Sequence, residues 1–336
     1  MSPHVHFWTR HREALDPWNP DADPDSHPTA YGHAFLELYQ RMRSEGRAVT
    51  IGPRPPSRST AVVASLEELV AHQPQIPARM MLRFAASLLG LHRRPSVIVL
   101  RVDTYLSVRA PSFTTLEAMP TRASIRLPRQ RVLPLLPQRG LCPRDAARGT
   151  RLENVAIKAY SYNIPAWVDD DFEERLGDLG LTLRIDTEAN GRWTDFTNLD
   201  AVLCTHAPGV DDRSKPPTKL VAAWAGGVIP VCGPFVGYLE NGTDGETMVV
   251  ADDDGSEGYL RALRALRERA DLAEKIRAAL PAAAAQYSPA GVVEENWRAL
   301  VAAPPIERSK AFAALLGAAP VAALSRVRRL LRRRQG

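Results

Sequence analysis

The sequence predicts an α/β protein built from two Rossmann-like domains, and three observations carry that expectation. Short apolar runs alternate with segments of helical periodicity, the pattern left by parallel sheets flanked by helices. A stretch rich in Pro, Arg and Gly, 128–151, lacks sustained periodicity and divides this series in two. The chain has 336 residues, 45% of them hydrophobic and 24% charged, enough for two globular domains that each bury a core. The expected boundaries are 1–135 for the first domain, 150–300 for the second and 306–336 for a basic tail.

In the first half, Val5–Trp8 reads as the opening strand, followed by a loop rich in Pro, Asp and His over Asp16–Thr29. Gly32–Arg43 carries apolar residues at helical spacing, and Ser44-Glu45-Gly46 stops it. Ala48–Ile51, Thr60–Ala64 and Ser96–Val102 read as strands, with a helix over Pro77–Leu91 before the last of them. Ala123–Leu127 alternates apolar and polar residues and is expected as one more strand. In the second half the expected order is strand Asn154–Ala159, helix Asp170–Leu179, and strands Leu181–Ile185 and Ala201–Cys204.

The most informative segment follows, Lys215-Pro-Pro-Thr-Lys-Leu-Val-Ala-Ala-Trp-Ala-Gly-Gly-Val-Ile-Pro-Val-Cys232. It reads as loop, helix, glycine turn and buried strand. Pro217 is expected as the first helical residue, because Pro216 is pushed to an extended conformation by the proline after it. The amides of Thr218 and Lys219 then lack intrahelical partners at the positive end of the helix dipole. With the side chains of Lys215, Thr218 and Lys219 added, this helix start is an anion site suited to a diphosphate. An ordinary αβ unit with solvated lysines is the bland alternative. Trp224 falls on the apolar face with Leu220 and Val221 and is expected in the core, with base stacking on the nucleotide as the alternative.

Downstream, Gly233-Pro-Phe-Val-Gly-Tyr-Leu-Glu-Asn-Gly-Thr-Asp-Gly-Glu leads to a short strand, Thr247–Ala251, and a helix over Glu257–Ala270. This order resembles the donor-binding half of GT-B glycosyltransferases, in the manner of the group 1, family 4-like members. The matching residues are Ala223, Ala225, Gly227, Pro230, Gly233, Glu240, Gly242, Gly245 and the strand Thr247–Ala251. The resemblance covers residues 150–300 in detail and the first half in outline, and Gln286–Leu300 resembles the helix that crosses back to the first domain.

The resemblance implies two domains facing across a cleft. It also implies transfer of a sugar from a nucleotide-sugar donor to a hydroxyl acceptor, which is a glycan, a lipid-linked molecule or a small molecule. It places Gly233 and Glu240 beside the donor. Many retaining members carry two glutamates eight residues apart, and this chain has Ser214 and Ala222 at those places. Two alternatives therefore stay open, a degenerate relative that binds a nucleotide or glycan without catalysis, and a nucleotide-sugar epimerase.

Ligands of parallel sheets bind at the carboxyl ends of the strands. Asp103, at the end of the strand Ser96–Val102, is a candidate general base for the acceptor hydroxyl, with Arg101 orienting it or the donor phosphate. A surface ion pair is the alternative. His27 and His33 flank the loop that the resemblance turns toward the cleft, where inverting members use a histidine as base. Asp195 and Asp200 bracket the segment before the strand Ala201–Cys204, and Asp195 and Asn198 are expected to cap or close turns.

No CxxC or HExxH occurs and the eight histidines show no ligand spacing, so no metal and no cofactor are expected beyond the donor itself. Cys142, Cys204 and Cys232 are widely separated and are expected as buried free thiols. No apolar run approaches the ~18–20 residues that span a bilayer, and the opening residues lack a signal-peptide core, so a cytoplasmic location is expected.

The net charge is +5, yet six arginines fall within Arg326–Arg334, and setting them aside leaves −1. That distribution argues against a specific nucleic-acid surface. Phe312–Leu331 carries apolar residues at near-helical spacing, interrupted at Pro320. The tail fits peripheral binding to an anionic membrane surface, with a disordered tail or nucleic-acid contact as the alternative.

Overall fold

The computed structural model describes residues 2–11, 18–23, 32–70, 78–89, 94–101, 108–206 and 209–307. His27, Asp103 and the tail with Arg326–Arg334 lie outside the described residues, as does the side chain of His33. The chain forms two compact units, one from residues up to Pro134 and from Val293 onward, the other from Leu135–Val292.

The first unit holds six parallel strands, β1 (Val5–Trp8), β2 (Val49–Gly52), β3 (Ala61–Ser65), β4 (Ser96–Leu100), β5 (Leu116–Met119) and β6 (Gln130–Val132). Their order is β2-β1-β3-β4-β5-β6. Strands covered on both faces read as unbroken apolar runs, which is why β3 (AVVAS) and β4 (SVIVL) are buried at every position. The helices α1 (Glu37–Ser44), α2 (Leu66–Val70) and α3 (Ala78–Leu89) belong to this unit. A five-residue π-helical turn, Gly32–Leu36, leads into α1 and sets Phe35 edge-on to Phe7 at 5.2 Å. Trp8, Phe84 and Phe113 stack through the core at 4.9 and 5.9 Å between ring centres.

The strand expected over Ala123–Leu127 is not formed. Arg122–Ser124 is a single 3-10 turn, held by Ser124 Oγ donating to the Thr121 carbonyl at 2.6 Å. The alternating pattern there has no buried face, and Leu127 is 40% exposed. The strands on either side of it are β5 and β6, so the stretch read as linker contributes the sixth strand of the first sheet.

The second unit has strands β7 (Asn154–Lys158), β8 (Thr182–Asp186), β9 (Ala201–Cys204), β10 (Ile229–Cys232) and β11 (Val249–Val250). They run parallel in the order β11-β10-β9-β7-β8. Its helices are α4 (Asp170–Asp178), α5 (Thr218–Ala225), α6 (Val236–Leu239), α7 (Ser256–Glu268) and α8 (Ala270–Ala285). Asp169 caps α4 by accepting the Phe172 amide at 3.0 Å. The alanine run 282–285 is the last turn of α8, a helix that continues through Pro281.

At the amino edge of this sheet Asp200 is fully buried. It accepts from Arg144 at 2.8 Å, Arg148 at 2.7 Å, and the amides of Glu153 and Asn154 at 2.8 and 3.0 Å. This is a hub joining the link segment to β7. Asp195 does close a turn, accepting the Thr197 amide at 3.0 Å.

The final helix, α9 (Pro289–Ala302), starts in the second unit and ends in the first. Within the first unit Arg47 holds it, 2.5 Å from Glu294 and 5.5 Å from the centre of the Trp297 ring. The chain then bonds to the residue before β4: the Ile306 amide donates to the Pro95 carbonyl at 2.8 Å, and Ile306 is buried in the first core. The segment from residue 306 is therefore not all tail; its first residue belongs to the fold. Among the described residues no helix is long and apolar enough to cross a membrane.

Candidate functional site

The carboxyl edge of β9 and β10 gathers the positively charged groups of the second unit's expected anion site. α5 starts at Thr218, one residue later than expected, with Pro217 at the N-cap and its carbonyl accepting the Val221 amide at 3.0 Å. Leu220, Val221, Ala223 and Trp224 bury the helix against the sheet, and Trp224 Nε1 donates to the Thr247 carbonyl at 2.8 Å. That packing leaves Thr218 exposed at the helix start and Lys215 and Lys219 half-buried beside it.

Lys219 Nζ donates to the carbonyl of Thr205, the residue after β9, at 2.6 Å. Burial, with a smaller contribution from the charge of Lys215, lowers its pKa to about 8, against the partial opposition of Cys204 and Cys232. His206 comes next in the chain. Its ring stacks on Tyr238 at 5.4 Å and meets the Phe235 edge at 4.6 Å. Burial, then the charges of Lys219 and Lys215, push its pKa down to about 3, so the imidazole is neutral at physiological pH. Lys215 and Lys219 thus converge with His206 on one strand end, the two lysines adding to the effect of burial on His206 and Lys215 adding to it on Lys219.

The turn after β10 is shaped by close approach. A side chain at Gly233 would put its Cβ 2.8 Å from the Tyr259 hydroxyl, and one at Gly237 would put it 2.5 Å from the Lys215 carbonyl. Gly233 therefore serves packing of the turn, its amide reaching the Cys204 carbonyl at 3.4 Å. Glu240 ends α6, half-buried, with its amide on the Val236 carbonyl at 2.9 Å. Cys204 and Cys232 face each other in register beneath the site and are buried free thiols, as expected; Cys142 is exposed, contrary to expectation.

In the first unit Arg101 is 4% exposed and forms a buried ion pair with Glu117 at 2.5 Å, its guanidinium also donating to the Val108 carbonyl at 2.7 Å. Its position at the end of β4 is thus held by a partner from β5. A surface position, the alternative reading, does not hold for Arg101, which is buried against β5, a strand not recognised in the sequence; Asp103 lies outside the described residues. Among the described residues no group of three or more His, Cys, Asp or Glu is arranged to hold a metal.

His206 was missed, although the rule applied to Arg101 and Asp103, that residues just past a strand's carboxyl end face the ligand, selects it. The loops after β7 and β8 were missed as well. They bring Tyr160, Tyr162 and Trp193 together at the same edge of the sheet.

No family model and no curated protein sequence matches the chain. Solved structures do. HepE of Anabaena in complex with UDP and glucose aligns with a TM-score of 0.53 at 12% identity, over 89% of this chain and 100% of that one. The HepE complex with UDP-glucose aligns at 0.52 and 11%, over 88% and 100%. The pneumococcal O-GlcNAc transferase GtfA with UDP and GlcNAc aligns at 0.48 and 10%, over 80% of this chain and 59% of that one. Two parallel-sheet Rossmann-like units in one chain, aligned over nearly their whole length with HepE, define the GT-B fold.

Proposed function

We propose that this chain is a glycosyltransferase that moves a sugar from a nucleotide-sugar donor to a hydroxyl acceptor. The observation that carries the reading is the convergence of Lys215, Lys219 and His206 with the free amides of α5 at the carboxyl edge of β9 and β10. A departing nucleoside diphosphate develops negative charge that must be stabilised where it forms. Lysines and helix amides fixed in a partly buried site supply that stabilisation without a metal ion. UDP, which HepE binds, is the first nucleotide to test.

Ser214 and Ala222 bear on the same reading. Ser214 is buried and donates to the Asp211 carbonyl at 2.6 Å, and Ala222 is 6% exposed on the packed face of α5. Neither position offers a carboxylate, so ribose and sugar are read by other groups. The acceptor base is proposed to come from the first unit, where Asp103, His27 and His33 are the candidates. A cytoplasmic location with peripheral attachment through the Arg326–Arg334 tail, and a lipid-linked or glycan acceptor of the cell envelope, complete the proposal.

The test is a thermal-shift screen of the full chain against UDP, GDP, ADP, CDP and dTDP, followed by turnover of the matching nucleotide sugar. Stabilisation by a diphosphate, lost in Lys215→Ala and Lys219→Ala, supports the site; linkage gives about 2.7 kcal/mol at ~100-fold excess over Kd. Binding with neither transfer nor hydrolysis would instead favour the non-catalytic relative. Conversion of the donor without an acceptor would favour the epimerase.

A further inference from the structure

At the same edge of the second sheet, two strands from β10, an aromatic platform stands open. Tyr160 and Tyr162, in the loop after β7, stack in parallel with ring centres 5.4 Å apart and planes 10° from each other. Trp193, in the loop after β8, meets Tyr160 at 5.0 Å. Tyr162 is 74% exposed, the most exposed large hydrophobic side chain among the described residues. What sets Tyr162 apart is that its exposed ring is one half of a stacked pair rather than an isolated surface side chain.

The platform is braced from below. Lys158 and Asp186 end β7 and β8 in register and form a buried ion pair at 2.6 Å. The Lys158 ammonium also donates to the carbonyls of Arg192 and Asp195 at 2.6 and 2.9 Å, which ties the Trp193 loop to the end of β7. Glu188 accepts from both the amide and the hydroxyl of Ser161, fixing the turn between the two tyrosines. Burying a lysine is expensive unless its hydrogen bonds are complete. Here they are completed by the loop that carries the platform.

We infer that Tyr162 is the stacking surface for the nucleobase of the donor, with Tyr160 and Trp193 holding it in place. The inference rests on the diphosphate site proposed above. Strands lie ~4.8 Å apart, and β7 is the direct neighbour of β9, so one nucleoside bridges from the lysines to the platform. Two parallel rings with an open outer face extend naturally by one more planar ring.

The experiment is calorimetric titration of the full chain and of Tyr162→Ala and Tyr162→Phe with pyrophosphate, UDP, GDP and UDP-glucose. Tyr162 is exposed, so both variants keep the fold. The expected result is about a ten-fold loss of nucleoside diphosphate affinity in Tyr162→Ala, retention in Tyr162→Phe, and pyrophosphate affinity unchanged in both. Equal nucleotide affinity in wild type and Tyr162→Ala, with pyrophosphate still bound, overturns the platform and leaves the diphosphate site standing. Failure of wild type to bind pyrophosphate and both nucleotides overturns the diphosphate reading and the platform with it. A loss confined to UDP-glucose, with UDP unchanged, assigns the ring to the sugar and overturns the nucleobase inference.

Discussion

Lys219 reaches back across the site to the carbonyl of Thr205, 2.6 Å from its ammonium, so the cation of α5 is tied to the end of β9. Burial lowers its pKa to about 8, with Lys215 adding to the effect. The ammonium is therefore whole at pH 7 and mostly lost by pH 9.5. A diphosphate binds the protonated form, so affinity is expected to fall as pH rises through about 8. The loss should reach roughly ten-fold, the scale of one hydrogen bond to a charged group. Calorimetry of wild type and Lys219→Met at pH 7.0, 8.0 and 9.5 checks this. The variant should bind weakly at every pH, and a flat wild-type profile would remove Lys219 from the site.

Gly237→Ala is expected to disturb the site without touching a ligand. The added Cβ would sit 2.5 Å from the Lys215 carbonyl, and the nearest atoms it meets are all backbone of Lys215 and Pro216 rather than a flexible side chain. Overpacking of this kind costs about 1–3 kcal/mol, and relief requires the Lys215 segment to move. Gly177→Ala, on α4 with open space around it, is the control and should hold or gain stability. Diphosphate affinity and urea midpoints measured together decide the matter. Unchanged affinity in Gly237→Ala would mean that Lys215 is not positioned by α6.

Acid stability should fall in two stages. His6 is buried and bridges Thr50 Oγ1 and the Gly52 carbonyl at 2.9 Å each, and burial foremost lowers its pKa to about 4. The unfolded chain takes up that proton near pH 6.5, so stability drops progressively as pH falls from about 6.5 to about 4.

Asp200 acts in a lower window. Burial alone would raise its pKa, but Arg148, the amides of Asn154 and Glu153, and Arg144 outweigh it and bring the value to about 2. Its contribution is whole above pH ~4 and disappears as pH falls through about 2, amounting to about 2 kcal/mol. Asp200→Asn, which leaves two arginines without their carboxylate, should cost about 3 kcal/mol at neutral pH. Urea denaturation between pH 7 and 2.5 tests both. His6→Gln should flatten only the upper stage.

Strands such as β3, β4 and β9 were legible because burial on both faces leaves unbroken apolar runs. β5 was not, since its run, Leu-Glu-Ala-Met, carries a glutamate whose burial makes sense only once Arg101 is seen beside it. α8 was hidden by Pro281 and by an alanine run without an apolar stripe. Lys215 and Lys219 were legible because one helix start carries both. His206, Tyr160, Tyr162 and Trp193 lie on three separate loops, and only the strand order β9-β7-β8 sets those loops side by side.

The tail prediction depends on where the fold ends. Ile306 is buried in the first core, and its amide is bonded to the Pro95 carbonyl, so a cut before it would remove part of the fold. Truncation after Glu307 should leave both units intact and remove the six arginines of Arg326–Arg334 with the apolar residues of Phe312–Leu331. Each arginine near an anionic surface contributes about 1 kcal/mol, screened within a Debye length of ~8–10 Å. Full-length protein should therefore sediment with vesicles containing phosphatidylserine, less so as salt rises, and weakly with neutral phosphatidylcholine. The truncated chain should remain in the supernatant with an unchanged melting temperature. Equal sedimentation of the two proteins would refute attachment through the tail. Comparable affinity of the tail for duplex DNA would reduce its charge to non-specific attraction and withdraw the support it lends to a lipid-linked acceptor.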